Sequence, residues 1–279
     1  MKFVKMHGAG NDYIYVDCTE EELENPNEVA RRVSDRHFGV GGDGLILICR
    51  SEFADFRMRM FNPDGSESEM CGNGIRCFAK YVYDKGLTRK ETLRVETLAG
   101  VMKLDLFVER DRVKKVRVNM GRPRLERRQI PMKGPEGRVI DEPLTVDGET
   151  YRITAVSMGN PHVVIFVDDV DKAPVAAAGP KIENHQAFPE RTNVNFVQIL
   201  SRREARQRTW ERGTGETLAC GTGASASLVA GCLNEKLEAE AVINVLGGRL
   251  EMVWGDDDNV YMTGPAATVF EGEWFDREE

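Results

Sequence analysis

The chain repeats itself once, and that repeat limits what it can fold into. Met70-Cys71-Gly72-Asn73-Gly74 returns as Ala219-Cys220-Gly221-Thr222-Gly223, 149 positions later. Gly10-Asn11-Asp12-Tyr13-Ile14-Tyr15-Val16 returns in the same register as Gly159-Asn160-Pro161-His162-Val163-Val164-Ile165. That register also lays Phe61-Asn62 on Trp210-Glu211 and residues 45–48 on residues 194–197, while Leu98-Ala99-Gly100 returns as Leu246-Gly247-Gly248 one position earlier. A single shared dipeptide is chance; several features in one register, at about half of 279 residues, are a duplication. At roughly 150 residues per domain, length also suggests two domains. We expect two similar domains related by a pseudo-two-fold axis, each bringing its cysteine loop to a shared cleft, where binding sites often lie.

Local patterning fills in each half. Alternating apolar residues at Ile14 and Val16, around Phe107, over 163–167 and over 195–200 read as strands. Asn25-Pro26-Asn27-Glu28 reads as a helix start, with Asn25 as cap, Pro26 at the first helical position and Glu28 closing a capping box; Val29 and Val33 continue it. After Cys71, Ile75, Phe78, Ala79 and Val82 fall at helical spacing and Gly86 is a stop. The matching run, Ala224, Ser227, Leu228 and Gly231, is made of small residues and predicts a tightly packed helix. The fold class is α/β (α+β): two pseudo-symmetric domains, each a strand-rich sheet or barrel wrapped around a central helix.

Composition excludes several functions. A net charge of −8 disfavours nucleic acid and anionic membrane as partners, which call for clustered Lys and Arg; the basic stretch 122–128 reads as a solvated connector. No segment reaches the length of a membrane span, and residues 1–10 lack the apolar core of a signal peptide, so a cytoplasmic location is expected. The cysteines, at 18, 49, 71, 77, 220 and 232, are then reduced. There is no C-x-x-C pair and there are four histidines, so no structural metal is expected. Cys18, Cys49, Cys77 and Cys232 read as small buried hydrophobes.

Cys71 and Cys220 differ from those four because both stand just before Gly-x-Gly and a helix. A helix start offers unpaired N–H groups to a carboxylate, its dipole lowers a thiol pKa from about 8.5, and glycine lets backbone approach a ligand. An amino acid held between two such starts has its α-proton made more acidic, because negative charge grows on its carboxylate. One cysteine, as thiolate, takes that proton; the other, as thiol, returns one from the opposite face. The carbon is inverted, and no pyridoxal cofactor is required. A phosphate site is the rival for a Gly-rich turn, but neither turn fits the nucleotide-binding patterns.

These residues resemble the diaminopimelate epimerase family. The two cysteine motifs at 70–77 and 219–224 match it, as do residues 6–13, 39–44, 61–66, 158–162 and 211–217, in order along nearly the whole chain. The resemblance implies a pyridoxal-independent epimerase interconverting LL- and meso-diaminopimelate in lysine and peptidoglycan precursor synthesis. It implies that the last strand returns to the first domain, giving residues 1–120 plus 264–279 and residues 121–263. It assigns Cys71 and Cys220 as the acid/base pair, the backbone of Gly72-Asn73 and Gly221-Thr222 to the reacting carboxylate, and Asn11, Asn62, Asn160, Asn193, Glu211 and Arg212 to the remaining polar ends. Arg212 can grip a distal carboxylate as a fork, and His162 and Glu211 take the role of tuning the cysteines. Some members carry Gln where Gly44 stands, so Gly44 offers no side-chain ligand. Family dimers use a Tyr where Phe270 stands; a homodimer is expected through an apolar contact.

Two rival readings differ in kind. Racemases of proline or hydroxyproline place His where Asn73 stands, and Glu211-Arg212 favours diaminopimelate; a related isomerase branch lacks the cysteine pair. A thiol switch protein using Cys71 and Cys220 would show no exchange of an α-proton.

Overall fold

In the computed structural model, which describes residues 1–275, the elements follow the repeat. The first half runs β1 (Lys2–Gly8), β2 (Asn11–Cys18), α1 (Pro26–Ser34), β3 (Leu45–Cys49), β4 (Phe56–Phe61), β5 (Glu67–Ser68), α2 (Gly72–Asp84), β6 (Thr92–Thr97), β7 (Gly100–Glu109) and β8 (Arg112–Asn119). After β9 (Glu142–Val146) the second half runs β10 (Glu149–Ser157), β11 (Pro161–Phe166), α3 (Val175–Glu183), β12 (Asn193–Ser201), β13 (Glu204–Glu211), β14 (Gly215–Thr217) and α4 (Gly221–Leu233). It ends with β15 (Glu240–Val245), β16 (Gly248–Trp254) and β17 (Val260–Pro265), and β18 (Ala267–Glu273) follows. The 149-position register carries α1 onto α3 and α2 onto α4 residue for residue. By contacts the chain divides into two compact units, Met1–Val118 with the segment from Gly264 onward, and Asn119–Thr263.

In the first unit β18, β1, β2, β3, β4, β6, β7 and β8 pair in that order, with β2–β3 and β4–β6 parallel and the others antiparallel. Residues 45–48 are buried on both faces of β3, because a helix covers each side. Ile14, Val16, Leu45, Leu47 and Phe61 pack on Val29, Ala30 and Val33 of α1. On the other side α2 lies against β1, β2, β3 and β7, with Ile75, Phe78, Ala79 and Val82 fully buried. Burying each large side chain of that set stabilises by roughly 1.5–3 kcal/mol, so α2 is the core of its unit rather than a cover. It stops where expected: Gly86, at φ +79°, donates its N–H to the Tyr83 carbonyl.

The helix start at Asn25 differs from the capping box the sequence predicts. Asn25 is left-handed (φ 47°, ψ 50°), and its side chain makes no cap bond. A left-handed backbone turns the side chain away from the helix start, so the Asn25 carbonyl accepts from Glu28 and Val29 instead, and the Glu28 carboxylate pairs with Arg31. Pro26 does occupy the first turn.

In the second unit β9, β10, β11, β12, β13, β15, β16 and β17 pair in order, with β11–β12 and β13–β15 parallel. Val163, Ile165, Val194 and Phe196 pack on Val175, Ala178 and Ile182 of α3. On the opposite side α4 contacts β10, β11, β12, β15 and β16, and it is buried all round. Its small residues are what permit this. A Cβ on Gly231 would stand 2.5 Å from Leu237, and one on Gly221 would stand 3.1 Å from the Met262 sulfur.

Candidate active site

Each cysteine caps the central helix of its own unit. At Cys71 the backbone is extended (φ −130°, ψ 118°) and the Gly74 N–H donates to Sγ at 3.4 Å. At Cys220 (φ −119°, ψ 109°) the Gly223 N–H does the same at 3.4 Å. The sulfur therefore stands where a Ser or Asp oxygen caps a helix, and the first N–H groups of α2 and α4, at Gly72-Asn73 and Gly221-Thr222, lie beside it.

Around Cys71 the Sγ–H donates to Asn11 Oδ1 at 3.2 Å, and Asn11 Nδ2 donates to Asp43 Oδ2 at 2.7 Å. Asp43 also accepts the Asp12 N–H at 3.1 Å and pairs with Arg36 at 2.9 Å. Asp12 pairs with Lys5 at 2.6 Å and Arg36 at 2.8 Å. Burial works against the Asp12 charge, but Arg36 and Lys5 outweigh it and hold its carboxyl below the ordinary value. The Tyr13 hydroxyl is in hydrogen-bonding contact with Cys71 and Asn11; burial first, then Cys71, pushes it well above the ordinary phenol range, so it stays neutral. Asn62 donates from Nδ2 to Ser66 Oγ at 3.0 Å inside the turn between β4 and β5. A Cβ at Gly44 would stand 2.2 Å from the Phe61 carbonyl oxygen, so this backbone has no room there for a side chain.

Around Cys220 the environment is different. Glu211 and Thr222 both make hydrogen-bonding contact with the sulfur, Thr222 Oγ1 at 3.5 Å, and Thr217 donates to Glu211 Oε1 at 2.5 Å. Burial first, then the Glu211 carboxylate, pushes the Cys220 thiol well above its ordinary value. At Cys220 the lowering that a helix start gives a thiol is present but outweighed. The Gly223 and Thr222 bonds do favour the thiolate, but desolvation and a neighbouring negative charge exceed them.

The remaining polar residues fall into place behind these. Asn160 Nδ2 donates to Thr222 Oγ1 at 3.4 Å, and His162 Nε2 meets Asn160 Oδ1 at 3.1 Å. His162 is buried; burial, then Arg212, lowers it to about 3 and keeps it neutral. It reaches Cys220 only through Asn160 and Thr222. Asn193 donates to the Pro161 carbonyl at 2.8 Å and accepts the Arg212 N–H at 2.9 Å, fixing the turn that carries Arg212. Arg212 Nη1 donates to the Glu190 carbonyl at 3.0 Å.

Sequence reasoning missed Tyr13, Asp43 and Thr217. Tyr13 could have been found, since the repeat places it on His162, and Asp43 sits in a Gly-rich loop already singled out. Thr217 had no signal beyond its place in the 211–217 motif. Among the described residues no cluster of three or more His, Cys, Asp or Glu side chains could hold a metal ion, and no helix is long and apolar enough to cross a membrane.

Comparisons with known proteins match nearly the whole chain. The family model described as diaminopimelate epimerase matches residues 3–126 and 154–269. A diaminopimelate epimerase of Pelotomaculum thermopropionicum is 57% identical over 277 residues, covering 98% of this chain and 99% of the relative. Those of Acetivibrio thermocellus (56% over 274 residues, 98% of each chain) and Methanococcus maripaludis (53% over 274 residues, 98% and 99%) are also similar. Among solved structures, a PhzF-family phenazine biosynthesis protein of Bacillus anthracis superposes with TM-score 0.69 at 18% identity, over 98% of each chain. A hydroxyproline epimerase of Agrobacterium vitis does so with TM-score 0.69 at 13% identity, over 98% of this chain and 91% of that one. At such identities the structures establish a common fold of two pseudo-symmetric, strand-rich α/β halves.

Proposed function

The chain belongs to the diaminopimelate epimerase family, and on that footing we propose that it interconverts LL- and meso-diaminopimelate without pyridoxal phosphate, for lysine and peptidoglycan precursor synthesis. The observation that carries the reading is the pair of cysteines, each capping the buried central helix of a matched half. One sulfur, as thiolate, takes the α-proton and becomes a thiol. The other, as thiol, gives its proton to the opposite face of the carbon and becomes the thiolate. The reverse reaction exchanges the roles. Burial and the Glu211 carboxylate both favour the thiol form of Cys220, which suits it to the donor's role.

The backbone N–H groups of Gly72-Asn73 and Gly221-Thr222 hold the reacting carboxylate, whose charge grows as the proton leaves. Asn11, Asn62, Asn160 and Asn193 bind further polar ends, Asn193 also accepts the Arg212 N–H, and Arg212 takes the distal carboxylate. Glu211 accepts from an ammonium group and, with His162 acting through Asn160, tunes Cys220. Asn73 with Glu211-Arg212 supports diaminopimelate over proline substrates.

The enzyme works in the cytoplasm as a homodimer; its net charge of −8 argues against nucleic acid and anionic membranes as partners. Phe270 supports the dimer: it packs edge-on against Phe3 at 5.7 Å yet remains 47% exposed. A monomer in sedimentation would remove that part of the reading. The main test is proton NMR of reduced protein with LL-diaminopimelate in D₂O. Loss of the α-proton signal with appearance of the meso isomer is expected; no exchange from folded, reduced protein overturns the substrate assignment.

A further inference from the structure

Behind His162 and Asn160 lie buried polar side chains, Asn195, Gln207 and Thr209, that the reaction above does not use. Asn195, the third residue of β12, is fully buried. Its Nδ2 donates to the Val163 carbonyl at 3.1 Å. A carbonyl oxygen can only accept, so that end of the amide is the nitrogen. Its Oδ1 accepts from Thr209 Oγ1 at 3.0 Å and Gln207 Nε2 at 3.4 Å, and Gln207 Nε2 also donates to Thr209 at 2.7 Å. The same Asn195 Nδ2 stands 3.2 Å from His162 Nδ1. A donor facing that ring nitrogen requires it to be bare, which places the proton of the neutral imidazole on Nε2. Nε2–H then donates to Asn160 Oδ1 at 3.1 Å, which leaves Asn160 Nδ2 turned toward Thr222 at 3.4 Å.

We infer that Asn195 is a positioning residue: through the tautomer of His162 it fixes the Asn160 amide with its N–H₂ end toward the start of α4, as a donor for a substrate carboxylate. Each link has one polarity, so the direction set at the Val163 carbonyl is transmitted to the mouth of the site. The inference rests on the proposed function only in naming what Asn160 binds.

The first half supplies the control. The repeat places Ile46, Met58 and Met60 where Asn195, Gln207 and Thr209 stand, and Tyr13 where His162 stands. The helix start presses on both layers equally closely. A Cβ on Gly74 would stand 2.7 Å from Ile46 Cδ1, and one on Gly223 would stand 2.5 Å from Asn195 Oδ1. Packing at this place is therefore satisfied by an apolar layer, and the polar layer of the second half serves orientation.

The test is ¹⁵N NMR of histidine-labelled whole protein, in which only four histidines need assignment. We expect His162 with a bare Nδ1 and a protonated Nε2 in the absence of any substrate; a protonated Nδ1 overturns the inference. In Asn195→Asp a carboxylate faces Nδ1, so the tautomer reverses and kcat/KM for LL-diaminopimelate falls by about tenfold or more, mostly through KM. A folded variant with the reversed tautomer and unchanged kinetics overturns it. The triple change Asn195→Ile, Gln207→Met, Thr209→Met copies the first half's layer and guards against a variant that fails to fold; it is expected to fold, lose the fixed tautomer and raise KM. Wild-type kinetics in that folded variant overturn the inference. Should wild-type protein show no epimerisation, the substrate reading fails while the tautomer measurement still decides the orientation.

Discussion

The two halves share a backbone and differ in chemistry, and the difference is informative because everything else is held constant. At Cys71 the sulfur is half-buried and donates to an asparagine that is fixed by a carboxylate, Asp43, in a network with two cations. At Cys220 the sulfur is buried beside the Glu211 carboxylate, and its asparagine neighbour is fixed by a neutral histidine. Inverting a carbon by two bases needs one thiol and one thiolate at a time, and the Glu211 carboxylate beside Cys220 biases which sulfur keeps its proton. The duplicated backbone thus provides the matched geometry, and divergence in the side chains beneath it provides the asymmetry.

The comparison breaks first at the cysteines themselves. Cys71→Ala and Cys220→Ala are each expected to reduce epimerisation by about 10³-fold or more, near the upper range for a positioned acid or base. Conversion to the meso isomer measures this, and full activity in either variant would end the two-base reading. Next comes Glu211→Gln. Removing the carboxylate that raises the Cys220 pKa should move the thiolate ultraviolet absorbance assigned to Cys220 toward lower pH, while kcat/KM falls by about 10- to 100-fold. An absorbance profile that stays in place would mean that burial alone holds this thiol neutral.

Smaller effects sharpen the same contrast. Gly223→Ala pushes a methyl into the Asn195 amide, which is fixed by several hydrogen bonds, and should destabilise by about 1–3 kcal/mol. Gly74→Ala meets only the terminal methyl of Ile46 and should cost less; equal denaturation midpoints would show that the two layers yield alike. The last effect is in pH. His162 titrates near 6.5 when unfolded but only at about 3 when folded, so the unfolded chain gains the proton first as pH falls. Stability from this group is complete above about 6.5 and is lost down to about 3, with a slope approaching roughly 1.4 kcal/mol per pH unit. The stability gap between wild type and His162→Gln should therefore narrow from about pH 8 to about pH 5. A constant gap would mean that His162 is not held neutral. The Tyr13 phenol in the same place of the first half, raised well above 10, gives no such slope.

Much of this was legible in the chain of residues. The duplication and its register, the cysteine caps and the small-residue helix all lie in local pattern, and local pattern is what hydrophobic period, glycine and capping chemistry write into a sequence. The misreadings occurred where a neighbour distant in sequence decided the outcome. Asn25 looked like a side-chain cap, but its left-handed backbone lets the carbonyl do that work. At Cys220 the helix start favours a thiolate and the resemblance already sets Glu211 beside the cysteines, but the burial that tips the balance toward the thiol is not written in spacing. Asn195 sat unnoticed within an apolar strand, although its repeat partner Ile46 marked it as out of place.

By itself the sequence determined the doubled architecture, the order of elements and which residue types stand at each helix start, since these depend on spacing along the chain. Only the tertiary structure decided the burial of Cys220 beside Glu211, the burial that favours neutral His162 and the hydrogen bonds that Asn193 makes in the turn before Arg212. Those depend on desolvation and on hydrogen bonds between residues about 30 positions apart, such as His162 with Asn195, and no spacing along the chain encodes them.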